Sequence, residues 1–95
     1  MPAAAPDVRH APGSSRFEAI VDGERCRLDY LLDDRVMRIH HTEVPPRLEG
    51  RGIAAALTKA AVEHARAEGL RIQPLCGYVR AWLARHPEHA DLVAR

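Results

Sequence analysis

Arg47-Leu48-Glu49-Gly50-Arg51-Gly52 runs directly into Ile53-Ala54-Ala55-Ala56-Leu57, so that a basic loop with two glycines opens an alanine-rich helix. Lacking a Cβ, glycine lets backbone N–H groups approach a bound group closely. The first turn of a helix has amides without internal partners and carries the positive end of the helix dipole. A loop and helix start of this kind form a cradle for phosphate. The helix is predicted over residues 50–68, because Ile53, Leu57, Ala60, Ala61, His64 and Ala65 recur on one face. Its alanines allow it to lie close to a sheet, and Gly69 is its natural stop.

Upstream of the loop, three segments read as an antiparallel meander. Residues 17–21 are short and β-rich, and Asp22-Gly23 signals a tight hairpin turn. In residues 24–32, Cys26, Leu28 and Tyr30 alternate with Arg25, Arg27 and Asp29, the pattern of a strand with one buried face. Asp33-Asp34 makes a second turn, and residues 35–44 form the third strand, ended by Pro45-Pro46 because proline cannot donate to a ladder. Downstream, residues 70–76 read as a fourth strand, which the intervening helix makes a parallel partner of the third. Residues 77–86 read as a second helix with Val79, Trp82, Leu83 and His86 in one stripe; Pro87 ends it, and residues 88–93 add a short turn. The order βββαβα predicts an α+β domain with a mostly antiparallel sheet and helices packed on it.

The chain has 95 residues, 46% of them apolar and 28% charged, which suits one soluble domain with a modest core. Net charge is +1, so no global field draws it to nucleic acid or to an anionic membrane. Of its 14 basic residues only Lys59 is lysine, and arginine suits planar recognition of phosphate or carboxylate. Residues 1–15, rich in Ala, Pro, Gly and Ser, read as a disordered tail without the apolar core of a signal peptide. Cys26 and Cys76 are too far apart for a local metal or redox motif, and are expected to be free thiols in a reducing cytoplasm.

Two phosphate-binding loops fit the glycine pair poorly. A nucleotide P-loop requires Lys and Ser/Thr after its last glycine, and Ile53-Ala54 follow here. A dinucleotide fold matches at Gly50-Arg51-Gly52-Ile53-Ala54-Ala55, but its motif follows the first strand of a βαβ unit and needs an acidic residue closing the next strand. Here a meander precedes it and Leu75-Cys76 stand at the strand end.

Arg47-x-x-Gly50-x-Gly52 at the start of a helix resembles the acyl-coenzyme A signature of the GNAT acetyltransferase superfamily. The flanks, His41-Thr42-Glu43-Val44-Pro45 before the loop and Pro74-Leu75-Cys76-Gly77-Tyr78-Val79 after the helix, are similar to a small single-domain GNAT-like family with a Cys-Gly strand end. The likeness spans about residues 16–93. It implies a shortened GNAT fold that omits the helices normally joining the first two strands, which in larger members help to build the acceptor site. It further implies that strands three and four splay apart to admit a thioester. Backbone near Glu43 and Val44 would pair with the pantetheine arm. Arg47, Gly50, Arg51, Gly52 and the first helical residues Ile53 and Ala54 would hold the diphosphate of acetyl-coenzyme A, while Cys76 would line the tunnel.

Acetyl transfer to an amine needs a base for the acceptor and an acid for the leaving thiolate. Glu43, at the end of strand three, is where such enzymes place a base, or else a carboxylate paired with an arginine. His40 and His41 are adjacent on a strand, so only one of them should face the cleft; a neutral imidazole suits the base role. Cys76 is either an acyl acceptor, its thiolate favoured by the helix opening at Gly77, or a small residue lining the tunnel. Tyr78 either protonates the coenzyme A thiolate or packs. Trp82, with Val79 and Leu83, reads as core.

Among the six histidines, His86-x-x-His89 is broken by Pro87 and finds no third ligand, so no metal is expected. Scattered arginines and 4% aromatics form no stacking platform for nucleic acid, and no apolar run reaches the length of a membrane span. The expected partners are acetyl-coenzyme A and an amine acceptor of undefined identity. A non-catalytic acyl-coenzyme A binding or sensing module, or acyl transfer through Cys76, is the alternative. The edge of the first strand leaves room for a weak dimer, and a monomer fits equally well.

Overall fold

A computed structural model describes residues 6–94. Five strands form one sheet in chain order: β1 (Arg9–Ala11), β2 (Arg16–Val21), β3 (Glu24–Asp33), β4 (Val36–Glu43) and β5 (Arg71–Pro74). The first four are antiparallel neighbours, and β5 runs parallel to β4. The crossover between them is α1 (Ile53–Glu68), and α2 (Gly77–Ala84) follows β5. The predicted α+β order is present, with one strand added at the front. No helix among the described residues is long and apolar enough to cross a membrane.

Alternation decides which face is covered. Phe17 and Ala19 on β2 and Cys26, Leu28 and Tyr30 on β3 are buried, together with Met37 and Ile39 on β4 and Ile72 on β5. Leu57, Ala61, Val62 and Ala65 of α1 complete that core against β2 and β3. Ala61 and Ala65, both fully buried, put small side chains on the face of α1 that meets the core. Val79, Trp82 and Leu83 of α2 join the same core. The opposite face carries Arg16, Glu18, Arg25, Arg27 and Asp29, and Ile20 and Leu31 on it are 64% and 60% exposed.

Two expectations change. Residues 1–15 were expected to form a disordered tail; residues 1–5 lie outside the described residues, but Arg9–Ala11 form β1 and Pro12–Ser14 a 3-10 turn. The cause is His10. Its ring stacks on Phe17 with centroids 4.2 Å apart, and its Nε2 lies 2.6 Å from the Tyr30 hydroxyl. Burial and the neighbouring His64 hold His10 below the usual imidazole range. The ladder to β2, the ring contacts of His10 with Phe17, Tyr30 and His64, and its hydrogen bond to Tyr30 thus fasten a segment whose composition alone signals a tail.

The second change is in β4. Asp29 pairs with His41 but Tyr30 pairs with Ile39, so His40 is an extra residue without a cross-strand partner. This β-bulge shifts the side-chain alternation by one. Thr42 then pairs with the buried Leu28 and faces inward, whereas His41 and Glu43 pair with Asp29 and Arg27 on the open face. His40 and His41 do not divide between cleft and exterior as strict alternation would have it; both are exposed.

Candidate functional site

Strand β4 and β5 pair only from Val36–Arg71 to Ile39–Pro74. The pairing ends where the Ile39 carbonyl accepts from two amides, Leu75 N at 2.9 Å and Cys76 N at 3.0 Å. Beyond that point β5 turns into α2 while β4 continues through the bulge, so the two strands part. A cavity of about 530 Å³ opens along the parted edge. Thr42, Glu43 and Val44 form one wall, Leu48 to Gly50 and Gly52 the next, Ile53, Ala54 and Ala55 of α1 the third, and Tyr78 of α2 stands opposite.

The loop that borders the cavity is built for backbone exposure. Pro46–Leu48 make a 3-10 turn with Leu48 N bonded to the Pro45 carbonyl at 2.9 Å. Leu48, 1% exposed, pins the turn into the core. Gly50 and Gly52 then adopt φ of +82° and +78°, a left-handed conformation that other residues reach only with strain. A Cβ at either glycine would meet nothing within 4 Å, so the reason for glycine is conformation and open approach, not crowding by the protein. The first bond of α1 is Ala56 N to the Gly52 carbonyl at 3.0 Å. The preceding amides therefore lack helical acceptors; no side chain caps them and the first turn has no acidic residue. The positive end of the α1 dipole borders the cavity uncompensated.

The two loop arginines are placed differently from the glycines. Arg51 bonds the Asp22 carboxylate at 2.7 Å. Arg47 pairs with Glu24 and reaches the Asp22 carbonyl at 3.3 Å. Both guanidinium groups thus brace the loop against the β2–β3 hairpin, and neither residue lines the cavity. The Arg51 hydrogen bond and charge hold the Asp22 carboxyl below the usual carboxylate range.

Where the strands part, the Thr42 Oγ1 and Cys76 Sγ lie 3.5 Å apart, a side-chain contact between β4 and the turn that follows β5; Thr42 lines the cavity, whereas Cys76, expected to line it, does not. Burial opposes ionisation of the half-buried Cys76. The Thr42 hydroxyl and the backbone amides of Val79, Tyr78 and Thr42 outweigh it, so the thiol lies below its ordinary value. Cys76 is the residue immediately before α2, and its sulfur takes the benefit of the amides in that first turn. Cys26, by contrast, is buried and pushed up by burial and by Glu24; both cysteines are free thiols. Burial also pushes the Tyr78 phenol up, against the opposing pull of Arg85, so Tyr78 keeps its proton at neutral pH.

Glu43 accepts from His41 at 3.3 Å and from Arg27 at 3.4 Å. The His41 hydrogen bond first, then the Arg27 charge, hold its carboxyl below the usual range. It belongs to a run of ion pairs across three strands, Arg16–Asp29, Arg27–Asp29 and Arg27–Glu43. Of the expected catalytic residues, Glu43 and Tyr78 line the cavity; His41 is bonded to Glu43 on the open face, and Cys76 contacts Thr42 from outside the lining. Thr42 escaped the sequence reading, because only the bulge at His40 turns it inward. Trp82 is 5% exposed in the core, and the His86 and His89 rings stack on it.

Comparison with known proteins gives the same picture. A family model described as GCN5-related N-acetyltransferase matches residues 16–92. The chain is 40% identical over 83 residues to Protein NATD1 of Bos taurus, covering 84% of this chain and 74% of that one. It is 34% identical over 91 residues to Protein NATD1 of Danio rerio, covering 90% and 83%. The solution structure of a GCN5-like protein from Staphylococcus aureus superposes with a TM-score of 0.73 at 25% identity, over 97% of this chain and 91% of that one. The split between β4 and β5, the left-handed glycines before α1 and the matches along nearly the whole chain converge: this protein belongs to the GCN5-related N-acetyltransferase family.

Proposed function

We propose that this protein binds acetyl-coenzyme A in the cavity between β4, the glycine loop and α1, and transfers its acetyl group to an amine. The observation that carries the reading is the uncapped start of α1 behind two left-handed glycines, at the open end of a split parallel strand pair. Amides of Gly50, Gly52, Ile53 and Ala54 supply donors for the diphosphate without any cation. Arg47 and Arg51 hold the loop in its binding shape through the hairpin. Past Ile39, β4 has no pairing with β5, and the backbone of Glu43 and Val44 is the edge for the pantetheine amides.

For the chemistry, the acceptor amine must lose a proton as it attacks the thioester carbonyl. Glu43 stays ionised and aligns the His41 imidazole, which takes the proton. Tyr78 retains its proton and delivers it to the departing thiolate. Isothermal calorimetry with acetyl-coenzyme A and with free coenzyme A tests the binding step. Micromolar affinity for either is the expected result, and absence of binding by both overturns the assignment.

The depressed Cys76 thiol favours a second route. Its thiolate attacks the thioester carbonyl carbon, the acyl carbon–sulfur bond to coenzyme A breaks, and the coenzyme A thiolate leaves with the Tyr78 proton. The acceptor amine then displaces Cys76 from the acetylated protein. This route predicts a mass increase of one acetyl group in rapidly quenched wild-type protein, and none in Cys76→Ala. An unmodified wild-type mass under the same quench leaves only direct transfer.

A further inference from the structure

Thr42 lines the cavity, and Cys76 packs against it from outside the lining. The β4–β5 ladder stops at Ile39, whose carbonyl takes the last two amides, and the strands then diverge. Three residues further along β4, Thr42 still reaches across to Cys76, with Oγ1 and Sγ 3.5 Å apart. Of the β4 residues that line the cavity, Thr42 is the one nearest the point where the strands join. Behind the pair the interior is filled: Leu28, which pairs with Thr42, and Ile39 and Val79 are each 0% exposed. A close-packed interior of this kind does not absorb extra methylenes without displacing neighbours.

We propose that the Thr42–Cys76 contact is the floor of the acyl seat and restricts the thioester to short acyl groups, acetyl above all. The inference rests on the coenzyme A reading given above and adds to it which thioesters are accepted. It depends on the shape of the two side chains, not on the reactivity of the thiol. An acyl group entering the strand gap from the cavity meets Thr42, and Cys76, packed against Thr42 from outside the lining, keeps it from moving aside. A longer chain has to part them or stay outside the gap.

The test is calorimetry of free, acetyl-, propanoyl- and butanoyl-coenzyme A on the wild type and on Thr42→Ala, Thr42→Val and Cys76→Ala. In the wild type, butanoyl-coenzyme A should bind at least about tenfold more weakly than acetyl-coenzyme A, the scale of discrimination that a tight pocket achieves per methylene or two. Thr42→Ala or Cys76→Ala removes part of the floor and should bring the two within about threefold, below that scale. Thr42→Val keeps the shape and loses the hydroxyl, so it should discriminate like the wild type. Equal binding of acetyl and butanoyl thioesters by the wild type overturns the proposal. So does undiminished discrimination in both alanine variants, or relaxation in Thr42→Val equal to that in Thr42→Ala. Failure of both free and acetyl-coenzyme A to bind removes the underlying reading, a result distinct from any change in chain-length preference.

Discussion

Gly52→Trp is expected to abolish coenzyme A binding while leaving the protein folded. Gly52 stands at φ +78° immediately before α1, and its Cβ direction opens onto free space with nothing within 4 Å. Two costs follow from a side chain there. The left-handed backbone strains any residue with a Cβ by roughly 1–2 kcal/mol, which a domain of about 5–15 kcal/mol stability survives. The indole itself occupies the approach to the amides of Ile53 and Ala54. Gly52→Ala separates the two effects, since it carries the same backbone strain and adds one methyl group. The two variants should therefore lose similar amounts of thermal stability, with Gly52→Ala retaining weakened binding in the calorimeter and Gly52→Trp showing none. Wild-type affinity in Gly52→Trp would place the ligand elsewhere.

Much of the fold was readable because it depends on short-range patterns. The alternation of Cys26, Leu28 and Tyr30, the Asp22-Gly23 turn, the face of α1 and the stop at Gly69 all appear in the structure within a residue or two of the expected places. What sequence periodicity misses is contact between distant segments. His10 sits among alanines and prolines, and nothing local announces that it stacks on Phe17 and meets Tyr30 twenty residues on. The bulge at His40 leaves no composition signal, because any residue can be the extra one in a strand. Yet it moves Thr42 to the inside and His41 and Glu43 to the open face.

The glycine loop shows the same division. Gly50 and Gly52 are informative in sequence because a conformation is the reason for them. Arg47 and Arg51 are ambiguous because a guanidinium serves any carboxylate within reach. Here Asp22 and Glu24, on the β2–β3 hairpin, take that place. The short chain thereby uses its hairpin to steady the loop, and the sheet face with the Arg16–Asp29–Arg27–Glu43 ion pairs stays accessible beside the cavity rim. The tight turn at Asp22-Gly23 joins β2 directly to β3, and the sheet face that carries Glu43 and His41 is uncovered.

Leu57→Ala is expected to produce a large loss of stability while leaving the cavity lining intact. Leu57 is 0% exposed at the second turn of α1 and belongs to the core that α1 forms with β2 and β3. Leu28, Met37 and Val62 of the same core are also fully buried, so little of that core is free to collapse into the space left behind. Removing a buried leucine side chain costs about 2–5 kcal/mol, more when the cavity stays open. For a domain near this size each kcal/mol lowers the midpoint by about 4–8 °C, and thermal unfolding followed by circular dichroism should therefore fall by on the order of 10–20 °C. Leu57 does not line the cavity, so coenzyme A affinity measured well below the new midpoint should stay close to wild type, and saturating ligand should restore part of the lost stability by binding only the folded state. A Leu57→Ala protein that melts within a few degrees of wild type would show that α1 is held mainly by its loop and its C-terminal cap, and would remove the core packing under α1 as the support of the binding loop.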